Sequence, residues 1–212
     1  MDKKQIEFEH IKNNKFIKLY AGDIPQNNLN YEGYIGVSIS KNDYKHINFD
    51  ITNRYPLEDN SVDVYQAEDV FEHIGMNKMV GVLNEIYRIL KPQIGRLRIS
   101  VPDYRCDVLQ KRSVKDTKGN IIFDPLGGGK FKDGKVINGG HVWFSKYEIV
   151  KEILDKSLFE KYTFFHYYNV DGKSITKNID YDLGYIQRTP DNDERVKSPY
   201  RVMSIVVDCY KV

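Results

Sequence analysis

The chain is poor in cysteine, nearly devoid of tryptophan and carries no excess of either charge. Two cysteines, Cys106 and Cys209, among 212 residues are too few for a disulfide framework and read as the reduced thiols of a cytoplasmic protein. No apolar run approaches the ~20 residues of a membrane-spanning helix. The opening MDKKQIEFEH has no apolar core of the kind a secretory signal needs. Lys and Arg number 32 against 30 Asp and Glu, a formal net charge of +2. That balance argues against a nucleic-acid partner, which demands a basic excess, and leaves only a local basic patch open. What the chain does have is 41% hydrophobic residues, enough for a globular core, and 16 Tyr with 10 Phe against one Trp. Five of the tyrosines fall between Tyr162 and Tyr185.

The first half alternates strand and helix signals. Lys15–Tyr20, Tyr34–Ile39, Ile47–Ile51 and Val62–Ala67 are short β-like runs. Met79, Leu83, Ile86 and Leu90 then recur at intervals of three and four, one face of a helix that Pro92 stops. Arg96–Val101 alternates polar and apolar. Strands alternating with helices predict crossover connections, an α/β fold and a mainly parallel sheet. Residues 105–140 are polar and glycine-rich and read as an insertion or lid within a single domain spanning 1–212. Ser145 and Glu148 fit a capping box for a helix that turns Val150, Ile153, Leu154 and Leu158 inward. Tyr162–Val170 and Arg201–Val212 read as two closing strands.

In such a sheet, ligands lie beyond the carboxyl ends of the strands. The candidate residues are therefore Tyr20, Ala21, Gly22 and Asp23 after the first strand, Ser38 after the second, Asp50 and Ile51 after the third, and Ala67 and Glu68 at the end of the fourth. Gly22 lets a ligand approach the backbone, although an ordinary turn would use it equally well. If a helix begins directly after Glu68, then Asp69, Glu72 and His73 stand at i, i+3 and i+4 and share one face. Two carboxylates and an imidazole form an incipient divalent-cation site, for which His141, freed by Gly139-Gly140, is the best distal ligand. Three readings stay open: a metal centre of Asp69, Glu72, His73 and His141; metal-free base catalysis by His73 or His141; or packing. His46 is placed beside the ligand or in the core, and His10 and His166 at the surface or in packing. Asp103-Tyr104-Arg105 follows the fifth strand and borders the same edge, or forms a solvated loop. The mixed-charge run Arg188–Arg195 is a solvated connection or an acceptor contact.

The stretch Asn60-Ser-Val-Asp-Val-Tyr-Gln-Ala-Glu-Asp-Val-Phe-Glu-His73, followed by Asn84-Glu-Ile-Tyr-Arg-Ile-Leu-Lys-Pro92 and Gly95-Arg-Leu-Arg-Ile-Ser-Val-Pro-Asp103, resembles class I S-adenosylmethionine-dependent methyltransferases over about residues 15 to 160. The resemblance implies a Rossmann-like α/β fold, with a mainly parallel seven-stranded sheet ending in a C-terminal antiparallel hairpin, and S-adenosylmethionine as cofactor. Gly22, with Ala21, stands for a divergent glycine motif around the methionine portion. Ser38 stands where the family has an acid for the ribose, and Asp23 is the nearest replacement. Asp50 matches the acid that reaches the adenine, and Ala67 and Glu68 the segment under the sulfonium. The Glu-His pair with a distal histidine resembles the metal site of ubiquinone-pathway and small-RNA O-methyltransferases. It implies Mg2+ or Mn2+ lowering the pKa of an acceptor hydroxyl, with Asp69 in place of the first glutamate and with Asp69, His73 and His141 as the catalytic side chains.

The chain is also similar to methyltransferases encoded with surface-polysaccharide and glycan assembly enzymes. That likeness implies a sugar or glycan acceptor, including a setting inside a larger multidomain assembly enzyme. Tyr162, Tyr167, Tyr168, Tyr181 and Tyr185 are the expected acceptor platform, with sheet packing as the alternative. A phenolic small molecule, an RNA ribose and a non-catalytic binding domain are the rival readings.

Overall fold

A computed structural model describes residues 5–25 and 28–212. Among the described residues twelve strands run in chain order: β1 Lys18–Ala21, β2 Tyr34–Ser38, β3 His46–Asn48, β4 Val64–Glu68, β5 Arg96–Pro102, β6 Val114–Lys115, β7 Ile121–Phe123, β8 Lys130–Lys132, β9 Lys135–Ile137, β10 Lys161–Tyr168, β11 Ser174–Thr176 and β12 Ser204–Tyr210. The helices are α1 Phe8–Ile11, α2 Met76–Ile89, α3 Asp107–Arg112, α4 Tyr147–Asp155 and α5 Glu194–Lys197. The main sheet has the order β11-β10-β12-β5-β4-β1-β2-β3. From β3 to β5 the pairings are parallel, and β12 lies antiparallel between β5 and β10. The sheet is the predicted one with one short edge strand, β11, added.

Strand alternation decides what each face of the sheet meets. Leu19, Ala21, Tyr65, Ala67, Leu97, Ile99, Ile205 and Val207 point to one side and form the core with Met79, Leu83 and Ile86 of α2 and Val150, Ile153 and Leu154 of α4. Each Leu, Ile, Val and Met among them contributes roughly 1.5–3 kcal/mol on burial. α2 stops as expected, because Pro92 cannot continue it; the chain turns extended at Leu90. Arg88, within the stretch most like the methyltransferases, bonds Glu85, Asp59 and the carbonyls of Tyr55 and Leu57, so that part of the motif braces a loop.

The opposite face mixes Tyr20, Tyr34, Val64 and Val206 with polar groups, and no long helix lies over it among the described residues. Gln66, Arg98 and Asp208 stand there, fully buried. Arg98 grips Asp208 in a two-bond fork at 2.7 Å for both contacts. The irregular connection between β11 and β12 covers this face, and its carbonyls need donors. Arg98 supplies them to Asp180 and Gly184, Arg96 to Leu183 and Gln66 to Tyr185.

Two local expectations fail. Ser145 does not cap α4: its hydroxyl donates to the carbonyl of Pro102, while Glu148 pairs with Arg105. Lys146 occupies the cap position instead. Leu158 does not turn inward, because α4 has ended at Asp155 and leaves it 52% exposed. Residues 105–140 hold α3 and two small hairpins, β6–β7 and β8–β9.

Candidate functional site

β1, β2 and β4 all end at one edge of the sheet, and a cleft opens there. Its two connected cavities measure about 320 and 460 Å3, sharing Gly22, Ile39, Val70 and His73 as walls. Gly22 turns the chain out of β1 with φ +89°, and a Cβ on it would come within 3.3 Å of the Val70 side chain. A side chain there would both strain the backbone and narrow the cleft.

Tyr20, Ala21, Asp23, Ser38, Glu68 and Asp69 line the larger cavity; Asp50 and Ile51 line the smaller, with Phe49, Ile74 and Lys78. Ser38 is buried and donates to the Asp23 carboxylate at 2.6 Å. The loop after β1 thus places a carboxylate beside the end of β2. Burial works against the Asp23 charge, but the Ser38 hydroxyl and Lys41 hold its pKa below the ordinary aspartate value. Asp50 is exposed and accepts the Thr52 N–H. Glu68 is buried beneath the cavity, and burial raises its pKa. It accepts the Tyr31 hydroxyl at 2.8 Å, the Gln66 amide at 2.8 Å and the Gln187 N–H at 3.0 Å.

Glu72, His73 and His141 converge beside this cleft, with ligand atoms within 4.8 Å of one another. The short turn Phe71–His73 carries the first two, pinned by Trp143, whose indole N–H reaches the carbonyls of Phe71 and Ile74. Glu72 is fully buried, yet neither carboxylate oxygen has a hydrogen-bond partner among the described residues. His141 Nε2 faces it at 3.5 Å. Burial, reinforced by the Asp69 charge, pushes the Glu72 pKa well up.

Both imidazoles are held by Nδ1. His73 Nδ1–H donates to the Gly139 carbonyl at 2.7 Å, which fixes the tautomer and leaves Nε2 a free lone pair. The Tyr104 hydroxyl donates to Asp124 at 2.8 Å and receives His141 Nδ1–H at 2.5 Å. His141 therefore presents an unprotonated Nε2 toward Glu72. Burial pushes its pKa down to about 3, helped by the neighbouring His73. Asp124 is anchored in turn by Arg112. The glycine that lies against the His141 ring is Gly127, where a Cβ would come within 2.7 Å, while Gly140 packs on Gly128 and Gly139 has open space around it.

The structure does not bring Asp69 into this cluster. No helix starts after Glu68: Asp69 takes φ +53°, which breaks the i, i+3, i+4 spacing, and its carboxylate pairs with Arg188. Its pKa is raised by burial, against the pull of Arg188. His46 is core, not cleft. It bonds Asp43 and the Ile24 N–H and packs against Gly36. His10 is exposed and accepts the Glu7 N–H, and His166 is buried. The expected tyrosine platform is absent from the cleft walls. Tyr162 pairs with Asp155, Tyr167 stacks on Tyr147, Tyr168 packs beside Tyr104, Tyr181 bonds Thr189 and Asp191, and Tyr185 packs on Tyr31. Tyr31, Asp124 and Gln187 escape a sequence reading because each meets its partner from a distant loop. Arg188 lay in a mixed-charge run with no local sign of a partner in Asp69.

Residues 8–97 match the family model described as a methyltransferase domain. No curated protein matches the chain. Similar solved structures include an S-adenosylmethionine-dependent methyltransferase of Methanosarcina mazei, with 11% identity, 96% of each chain covered and TM-score 0.52. Another, from Archaeoglobus fulgidus, has 14% identity over 93% of this chain and 87% of that one, with TM-score 0.54. A Thermotoga maritima methyltransferase, described as a possible histamine N-methyltransferase, has 15% identity over 92% and 82%, with TM-score 0.51. With one sheet order, one cleft and a domain match over residues 8–97, the chain has the fold of the class I S-adenosylmethionine-dependent methyltransferases.

Proposed function

We propose that this protein transfers a methyl group from S-adenosylmethionine to a sugar hydroxyl, with Glu72, His73 and His141 holding a divalent cation beside the acceptor. The observation that carries the reading is Glu72: a fully buried carboxylate with both oxygens unpartnered, facing two imidazole nitrogens whose lone pairs are free. Leaving such a group unsatisfied costs about 1–3 kcal/mol or more, and a cation would relieve it. One carboxylate with two imidazoles is a mixed donor set that suits Mn2+ better than Mg2+. When bound, the cation supplies Lewis-acid lowering of the hydroxyl pKa.

The rest falls to the chain's own side chains. Gly22 and Val70 leave room for the donor along the floor of the cleft, the Ser38–Asp23 pair offers acceptors to a ribose, and Asp50 flanks the adenine side. Tyr104 and Gly139 hold the imidazoles in register, and Trp143 holds the turn that carries Glu72. Use of His141 as a cation-free base is disfavoured, since burial keeps its pKa near 3 and its affinity for a proton low. Glu68, Asp69 and the Gly139 backbone give the acceptor side polar walls, which suit a hydroxylated sugar better than a lipid-like acceptor.

The test is methyl transfer from labelled donor to a panel of sugars and phenols, with and without chelator. Loss of turnover in excess chelator and its return with Mn2+ support the reading. Undiminished turnover in chelator, with His141→Ala still active, overturns the cation role, and transfer to phenols alone overturns the sugar.

A further inference from the structure

The two hairpins between α3 and His141 concentrate the positive charge of the molecule. Residues 111–137 hold seven Lys and Arg against three Asp, a net +4 in a chain whose total is +2. Lys115, Lys118, Lys130, Lys132 and Lys135 are all exposed and form no salt bridge with any described residue. The register of β8 against β9 sets Lys132 directly opposite Lys135, with Lys130 two residues along the same strand. Residues of one strand two apart, and cross-strand partners, share a face, so one face carries three lysines. Like charges placed directly opposite destabilise a hairpin, and no ion pair among the described residues offsets them. Phe131 points to the other face, where its ring stacks on Phe123 and ties the hairpins together.

This charged arm is attached to the candidate centre at three points. In the connection between the two hairpins, Asp124 takes the Tyr104 hydroxyl and Gly127 packs on the His141 ring; Gly139, where the arm returns, accepts His73 Nδ1–H.

We propose that the lysine face of the β8–β9 hairpin docks an anionic saccharide, a sugar chain bearing carboxylate or phosphate groups, and so delivers an acidic glycan to the cleft. The proposal rests on the sugar-methylation reading for the identity of the chain it guides. A nucleic acid is the lesser fit: single-strand platforms pair cations with aromatic rings that stack bases, and here the ring faces away from the lysines. Lysine heads are compact point charges, suited to tracking anionic groups without planar recognition.

The experiment is fluorescence anisotropy of the full chain with a fluorescein-labelled oligogalacturonate, a neutral malto-oligosaccharide and a labelled single-stranded RNA. It is run across a salt series and repeated on the combined Lys130→Ala, Lys132→Ala, Lys135→Ala variant. The oligogalacturonate is expected to bind, the neutral sugar not to. The triple variant should bind about tenfold more weakly, with the slope of log affinity against log salt reduced by about 2. Unchanged binding by the variant, or no binding by the native chain at low salt, overturns the proposal. RNA binding tighter than oligogalacturonate at matched charge also overturns it. Calorimetry with S-adenosylmethionine on the same preparations separates the two readings. Saccharide binding without cofactor binding defeats the methyltransferase reading alone; cofactor binding without saccharide binding defeats the docking arm alone.

Discussion

Glu72→Gln isolates the feature on which the candidate centre turns. Glu72 is buried and unpartnered, and its pKa is pushed well above the ordinary 4.5. In the cation-free protein the folded state therefore keeps a proton that the unfolded chain releases once the pH exceeds 4.5. Stability from this group is fully present below that value and is lost as pH rises toward the raised pKa, at about 1.4 kcal/mol per pH unit. Gln carries no titrating proton, so its curve lacks this slope. Asp103, raised by burial to about 6, and His141, lowered to about 3, also titrate. Asp103 is common to both proteins and cancels in the difference, whereas His141, 3.5 Å from Glu72, titrates together with it, so the difference reads the Glu72–His141 pair. The assay is urea unfolding in chelator across the acid-to-neutral range, comparing native and variant chains. With Mn2+ present the sign reverses for the native protein. A cation at a hundredfold excess over its dissociation constant stabilises it by about 2.7 kcal/mol, a gain the Gln variant loses. Parallel pH profiles for the two proteins, or equal stabilisation by Mn2+, would refute the reasoning.

Two further perturbations probe the surroundings. Tyr104→Phe strips His141 Nδ1 of its buried partner; it should cost about 2 kcal/mol, lower the Tm by about 6 °C and weaken Mn2+ binding about tenfold or more, as read by calorimetry. Asp208→Ala leaves the Arg98 guanidinium, itself fully buried, without its carboxylate; denaturant unfolding should show a loss of about 3–5 kcal/mol, and a loss below 1 kcal/mol would mean that the pair behaves like a surface one.

The sheet and its major helix were legible because burial imposes period. Leu19, Tyr65, Leu97 and Ile99 alternate, and Met79, Leu83 and Ile86 recur at helical spacing. The polar face was equally visible as Gln66, Glu68, Arg96 and Arg98, but such alternation ordinarily marks a face toward water. Nothing local announced that a loop with unpaired carbonyls lay over it. Glu72, His73 and His141 were readable as a set from residue type, an adjacent carboxylate and imidazole with a distal histidine, although the helix expected to carry the first two is only the short turn Phe71–His73. Asp69 was assigned to the same face from spacing alone, and one residue at φ +53° undoes such an inference. Tyr104 and Asp124 join the centre only through tertiary contact, twenty residues apart in sequence, so no spacing could have linked them.

The account stands most directly on cofactor binding in the cleft. Calorimetric titration of S-adenosylmethionine into the native chain is predicted to give saturable one-site binding. Gly22→Val, which places a branched side chain at φ +89° against Val70, is predicted to abolish it while the far-UV spectrum is kept. Absence of binding by the native chain at millimolar cofactor, or unchanged binding by Gly22→Val, would contradict the account.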